Sequence, residues 1–324
     1  MTELPARQIV LAARPQGRPK LTDFRFEEFA IPPLSEGQVL LQVRYLSLDP
    51  YMRGRMNDAK SYAKPVQIGG AMTGETIAEV VASRHKDYAE GDLVLAMTGW
   101  RTRAVVDGAD LRKIAATPRT PVTTRLGVLG MPGFTAYAGL KAIGKPKAGE
   151  TLVVAAASGP VGSLVGQLAR IAGAKAVGIA GGPEKCRFVS QDLGFDAAID
   201  HRAPDFPAQL AAVCPDGVDI YFENVGGAIW QAVLPLLNQF ARVPVCGLIA
   251  QYNSAAGGDV DRLPATMRAI LTKSLTLRGF INYEFTSELY PAFLREVSAW
   301  IAEGRVRYRE DIVDGFDSAP EAFI

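Results

Sequence analysis

Cysteine is scarce in this chain: Cys186, Cys214 and Cys246 are the only three in 324 residues, and they are widely scattered. A disulfide framework and a cysteine-based metal quartet are thereby excluded, and reduced, partly buried thiols fit a cytoplasmic protein. Histidine is scarcer still, with His85 and His201 alone. His85 lies in the polar turn "SRHKDYAEGD" and reads as an exposed residue. Excess charge is lacking too, because 35 Lys and Arg face 34 Asp and Glu without a long basic block. No nucleic acid and no membrane surface is implied as a partner. The opening "MTELPARQIV" lacks the positive segment and apolar core of a secretory signal. The uncharged run 151–169 is long enough to tempt a membrane span. Ser158, Gly159 and Pro160 interrupt it, however, and its halves differ in period, so it reads as a strand followed by a helix. No internal repeat or low-complexity tract is present.

What is there divides in two. Up to about residue 120, runs such as "GQVLLQVRYLSL", "ETIAEVVAS" and "GDLVLAMTGW" alternate apolar and polar residues between turns. They predict a mostly antiparallel, barrel-like unit. From Thr151 onward, strands at 151–156, 175–180, 197–200, 218–224, 241–248 and 275–280 alternate with segments of helical spacing, among them 160–172 and 183–193. That rhythm predicts an α/β fold with a doubly wound parallel sheet. The segment "SELYPAFLREVSAWIAEGRV" is an amphipathic helix, and the tail "YREDIVDGFDSAPEAFI" returns to strand-and-turn composition. It stops at Ile324 without a stop signal, as expected of a truncated version of a longer protein. The expected domains are a cofactor-binding domain at 125–289, inserted in a discontinuous domain made of 1–124 and 290–324.

The first strand, turn and helix of the second half carry Ala157, Gly159, Pro160, Val161 and Gly162, an A-x-G-x-x-G form of the dinucleotide fingerprint. Gly159 lets the backbone approach a pyrophosphate, and Gly162 lets the helix pack close to the strand. Free N–H groups at the helix start then face the phosphates. Pro160 is tolerated because the first helical turn needs no donor there. Ala157 is tolerated if the turn requires a small residue rather than a positive φ. No acid closes the second strand. Gly181, Gly182 and Pro183 stand there, with Lys185 behind them. An acid would bind a ribose 2′-hydroxyl and repel a 2′-phosphate, so its absence with a nearby lysine favours NADP(H). Arg187 and Arg202 are lesser phosphate candidates.

Beyond these patterns, "LSLDPYMRGRM", "GGAMTGETIAEVV", "AASGPVG", "FENVGG" and "CGLIAQYN" resemble the medium-chain dehydrogenase/reductase superfamily. Within it they are similar to the zinc-free prostaglandin reductase (leukotriene B4 12-hydroxydehydrogenase) branch, with its NADPH-dependent curcumin and alkenal reductases. The resemblance runs over almost the whole chain. It implies a Rossmann cofactor domain, a GroES-like barrel domain, a site in the cleft between them and a homodimer. Zinc enzymes of this fold take a cysteine and a histidine–glutamate pair from the first domain. Here no cysteine precedes Cys186, and His85 is the only histidine before His201, so those ligands cannot be assembled.

Without a Lewis acid the expected chemistry is conjugate reduction. Hydride adds to the β-carbon of an α,β-unsaturated ketone or aldehyde, and hydrogen-bond donors stabilise the enolate. The resemblance places Tyr252 of "CGLIAQYN" beside the nicotinamide, with the ribose 2′-hydroxyl as the rival donor. A phenol with a pKa of about 10 stays protonated and donates. Tyr51 of "DPYMRGRM" and Tyr62 are the next substrate-facing candidates, while Arg53 and Arg55 either meet a substrate carboxylate or brace the cleft. By the same resemblance Asn224, Cys246, Gly247, Phe280 and Asn282 contact the cofactor, and His201 stands where relatives often carry tyrosine. Met56, Tyr62, Phe285 and Tyr290 line a wide apolar cleft or belong to the core. The alternatives are an NADPH-dependent quinone oxidoreductase and, from a different class, a non-catalytic NADPH-binding protein.

Overall fold

The computed structural model describes residues 5–117, 120–253 and 262–324, and the chain divides into two units, Met1–Leu126 with Asp311–Ile324 and Gly127–Glu310. In the first, β1 (Ala6–Leu11) pairs antiparallel with β2 (Phe24–Phe29). A five-stranded antiparallel sheet follows, built from β3 (Gln38–Leu46), β4 (Thr76–Ser83), β5 (Leu93–Ala96), β6 (Arg103–Asp107) and β7 (Arg112–Ile114) in the order β6-β3-β4-β5-β7. The period-2 runs have the expected consequence, since Val39 and Leu41 of β3 point inward with Ala78 and Val80 of β4. Phe24 stacks on Trp100 at 5.5 Å, and Phe323 of the tail meets the Trp100 ring edge-on at 5.6 Å. Phe316 and Phe323 thereby pack against this core.

The second unit holds the parallel sheet. Its strands are β8 (Thr151–Ala155), β9 (Lys175–Ala180), β10 (Ala197–Asp200), β11 (Val218–Phe222), β12 (Leu237–Val245) and β13 (Thr276–Gly279), in the order β10-β9-β8-β11-β12-β13. Every residue of β8 is buried, as a strand covered on both faces requires. The uncharged run is therefore a central strand and the helix Gly162–Ile171. Among the described residues no helix is long and apolar enough to cross a membrane. The strand order reverses between β8 and β11, which places a ligand crevice at their carboxyl ends.

Three expectations need correction. The return to the first unit lies at Asp311, not 290, because the helix Thr286–Ala302 buries Phe293 and Val297 against the second unit's core. Phe293 there meets Phe134 at 5.4 Å and Tyr137 at 5.6 Å. The helix expected over 183–193 is regular only over Pro183–Arg187 and then widens into a π-helical turn. β12 begins at Leu237 rather than 241, with a bulge against β11 at which Phe240 takes a φ of 65°.

Candidate functional site

Where β8 ends, Ala156 takes the left-handed conformation at φ 52°, so the positive φ of this turn falls one residue before Ala157. Ala157 is fully buried and its N–H donates to the Ile179 carbonyl at 2.9 Å, which fixes the turn to β9. Its side chain needs only to be small, because Gly178 and Val189 pack beside it. The Gly159 N–H returns to the Ala156 carbonyl at 3.0 Å, and the Gly159 carbonyl accepts from Ser163 at 2.9 Å. Pro160 is exposed and Val161 is the N-cap, so the helix start opens away from the core. A methyl group on Gly162 would lie 2.9 Å from both the Ala156 carbonyl carbon and Ala157 Cα. The close approach that the fingerprint demands is thus present.

At the end of β9, Gly181 and Gly182 make a bare shelf. A methyl group on Gly181 would meet His201 Nε2 at 2.9 Å and Arg202 Nε at 3.1 Å, so both cation-capable side chains lean over this glycine. Lys185 is exposed on the short helix that follows. The Asp200 Oδ1 accepts from the N–H groups of Gly182 and Arg202, each at 2.9 Å, which holds its carboxyl below the usual range. Arg202, a lesser candidate by spacing, is therefore placed as closely as His201. Arg187 is merely exposed on the helix.

β11 ends in a knot that sequence reasoning missed. Glu223 is 3% exposed, and its Oε1 accepts from Val225 N–H at 2.7 Å, Gly226 N–H at 2.8 Å and the Tyr221 hydroxyl at 3.0 Å. Burial pushes its carboxyl up, while those donors pull it back. The Glu223 carbonyl accepts from Cys246 at 2.9 Å and Gly247 at 3.1 Å. Asn224 turns its amide onto the Ala155 carbonyl at 2.8 Å, tying β11 to the nucleotide turn. Its own carbonyl accepts from Ile249 at 3.2 Å. This fixes the turn Ile249–Gln251 that leads into Tyr252. A methyl group on Gly247 would lie 3.3 Å from the Tyr252 hydroxyl, so the phenol rests over a residue that has no side chain. Burial, with the Glu223 charge second, pushes the Cys246 thiol up to about 12, so it remains a neutral wall.

Other expected contact residues pack on or beside the core. The Phe280 ring is buried between Phe222 and Phe285, each at 6.2 Å. Asn282 donates its amide to Thr135 at 3.0 Å, bracing the helix Met131–Ala138. Phe285 and Tyr290 pack on that same core.

In the first unit, Tyr51 opens the helix Tyr51–Arg55 and shares a hydrogen bond with Thr73. Burial, then the charges of Asp49 and Glu75, push its phenol up, so it stays a donor. Tyr62 is half exposed and lies under the Arg55 guanidinium at 4.2 Å. Arg55 donates to Ala63 at 3.0 Å, while Arg53 reaches Asn57 at 2.6 Å and Gly17 at 2.8 Å. Both arginines are braces, and Met56 is fully buried core.

Asp49 is 5% exposed, and burial raises its carboxyl to about 6 against the pull of a Ser47 hydrogen bond. A carboxyl raised in the folded state favours folding below its unfolded pKa of about 3.9, and that advantage is lost as pH rises through the folded value. Asp49→Asn is therefore expected to stabilise the protein by roughly 2 to 3 kcal/mol at pH 7.5. The gain should vanish by about pH 4, as read from urea midpoints across that range.

Comparison with known proteins gives two family matches, "N-terminal domain of oxidoreductase" over residues 7–114 and "Zinc-binding dehydrogenase" over residues 160–299. The NADPH-dependent curcumin reductase of Escherichia coli K12 is 53% identical over 319 residues, 98% of this chain and 92% of the relative. Prostaglandin reductase 1 of Bos taurus is 39% identical over 311 residues, 95% and 91% of the two chains. The crystal structure of CurA in complex with NADPH from Vibrio vulnificus is similar with a TM-score of 0.94 and 50% identity, covering 98% of this chain and 94% of that one. The metal in the second family's description does not fit the donors of this chain. Among the described residues no three of His, Cys, Asp and Glu gather where they can hold an ion.

Proposed function

This chain belongs to the zinc-independent medium-chain dehydrogenases/reductases, in the branch of the prostaglandin and curcumin reductases, and on that footing we propose that it reduces the C=C bond of α,β-unsaturated ketones and aldehydes with NADPH. The observation that carries this reading is the nucleotide crevice, with a packed glycine turn on one side and, on the other, a glycine shelf under His201 and Arg202, where the Asp200 carboxylate is taken up by the N–H groups of Gly182 and Arg202. Gly159 and the helix start at Gly162 would hold the pyrophosphate, and Arg202, His201 and Lys185 the 2′-phosphate. When bound, NADPH supplies the hydride that goes to the β-carbon. Tyr252 donates to the carbonyl oxygen as negative charge gathers there, and stabilises the enolate until a proton reaches the α-carbon. Asn224 and Gly247 set the place of Tyr252 through the backbone bonds of their loops.

The testing experiment is consumption of NADPH and NADH with a panel of enones, alcohols and quinones. Enones with NADPH should turn over fastest. Arg202→Glu with Lys185→Glu is expected to reduce the NADPH-over-NADH preference at least ten-fold, since two attractions to a dianion become repulsions. An unchanged preference contradicts the phosphate assignment.

The protein is proposed to act in the cytoplasm as a homodimer. Its three thiols are free, which agrees with a reducing compartment. β13 is an edge strand, and Leu263, Met267 and Leu271 form an exposed apolar stripe on the helix Leu263–Lys273, both of which favour self-association. Sedimentation equilibrium should return twice the 34.7 kDa chain mass; the single mass contradicts the dimer.

A further inference from the structure

Glu223 is a buried charge without a cation. Among the described residues no Lys, Arg or His pairs with its carboxylate, whose partners are the Tyr221 hydroxyl and backbone N–H groups of the turn, those of Val225 and Gly226 foremost and that of Asn224 beside them. Buried carboxylates are costly unless matched, and dipoles alone match one only when they are fixed in place. Here they are fixed. The turn closes at Gly226 with φ 76°, a conformation that aims the N–H groups at one oxygen, and Tyr221 is locked in the core beside Trp230. The carboxylate stands at the carboxyl end of the sheet beside the switch point. One backbone hydrogen bond separates Glu223 from Gly247, over which the Tyr252 hydroxyl lies. A fold that needed only to close this turn had a neutral option, because glutamine offers the same acceptor oxygen without the desolvated charge.

We propose that the Glu223 carboxylate is the countercharge for the oxidised nicotinamide, so that the site binds cationic NADP+ more tightly, relative to neutral-ringed NADPH, than a neutral residue at this position would allow. The inference rests on the reading that Cys246, Gly247 and Tyr252 face the nicotinamide. It makes the carboxylate an electrostatic positioning group whose effect grows as positive charge appears on the ring, which is the direction of enone reduction.

The experiment is equilibrium binding of NADP+ and of NADPH, by calorimetry and protein fluorescence quenching, to the wild type and to Glu223→Gln. Glutamine keeps the shape and the Oε1 acceptor and removes only the charge. The ratio Kd(NADP+)/Kd(NADPH) is expected to rise about ten-fold. Equal weakening of both forms, the mark of a merely structural role, overturns the proposal, as does an unchanged ratio. Tyr221→Phe removes one donor dipole that offsets the carboxylate and keeps its charge, so it should lower the ratio, by a smaller factor. If Glu223→Gln fails to fold, an unchanged Tyr221→Phe ratio overturns the proposal by itself. Tyr252→Phe is measured alongside. If it slows enone reduction and the ratio does not move, the countercharge falls alone. If it leaves enone reduction untouched, the reading of this face falls and takes the countercharge with it.

Discussion

Tyr252→Phe is expected to lower kcat for an enone about 100-fold while changing NADPH affinity by no more than about two-fold. The effect is large because one donor directed at a developing oxyanion contributes far more in the transition state than in the ground state. It is confined to kcat because the variant removes only the hydroxyl that lies over Gly247 and leaves the ring in place. The supports of that ring, the Asn224 carbonyl on Ile249 and the Glu223 carbonyl on Gly247, are untouched by the loss of one oxygen. Steady-state kinetics and NADPH binding on the same preparation check both halves. Full activity would instead favour quinone reduction as the reaction, since hydride transfer to a quinone needs fewer protein donors.

The second large effect concerns Gly162. Gly162→Ala should destabilise the protein by roughly 1 to 3 kcal/mol and weaken NADPH binding at least ten-fold. The new methyl group meets main chain, the Ala156 carbonyl and Ala157 Cα, not a side chain that can rotate away. Ala156 already holds a left-handed φ, and Ala157 is pinned to Ile179. The helix Gly162–Ile171 must therefore lift from β8, and its N–H groups move with it. Gly159→Ala is the control that separates fold from ligand. Its methyl group would come within 3.3 Å of the Ala156 oxygen alone, so stability should change by less than about 1 kcal/mol while NADPH affinity still falls. Thermal melts with and without NADPH distinguish the two variants.

Much of this was legible in the sequence because the signals are local. The alternation of β8, helix and β9 is written in period, and the fingerprint glycines sit at spacings that only close backbone approach explains. The positions that escaped are those whose role depends on what folds over them. Glu223 looked like one letter of "FENVGG", and only burial beside two N–H groups makes it a hub. Asp49 precedes a proline in an unremarkable turn, and its raised carboxyl comes from the loss of solvent, which no spacing reports. Phe280 has a cofactor role by motif, and the structure adds what no motif reports, an aromatic cluster with Phe222 and Phe285. The boundary at 290 moved for a similar reason. The apolar face of an amphipathic helix says that it packs, not on which of two cores, and Phe293 settles that by meeting Phe134 and Tyr137.

Product analysis with NADPH deuterated at the transferring C4 position bears most directly on the claim that electrons reach an activated olefin. Recovered from an enone such as 3-nonen-2-one, the product should be the saturated ketone with deuterium on the β-carbon and none on the carbonyl carbon. An allylic alcohol carrying deuterium at the former carbonyl carbon would contradict the account outright.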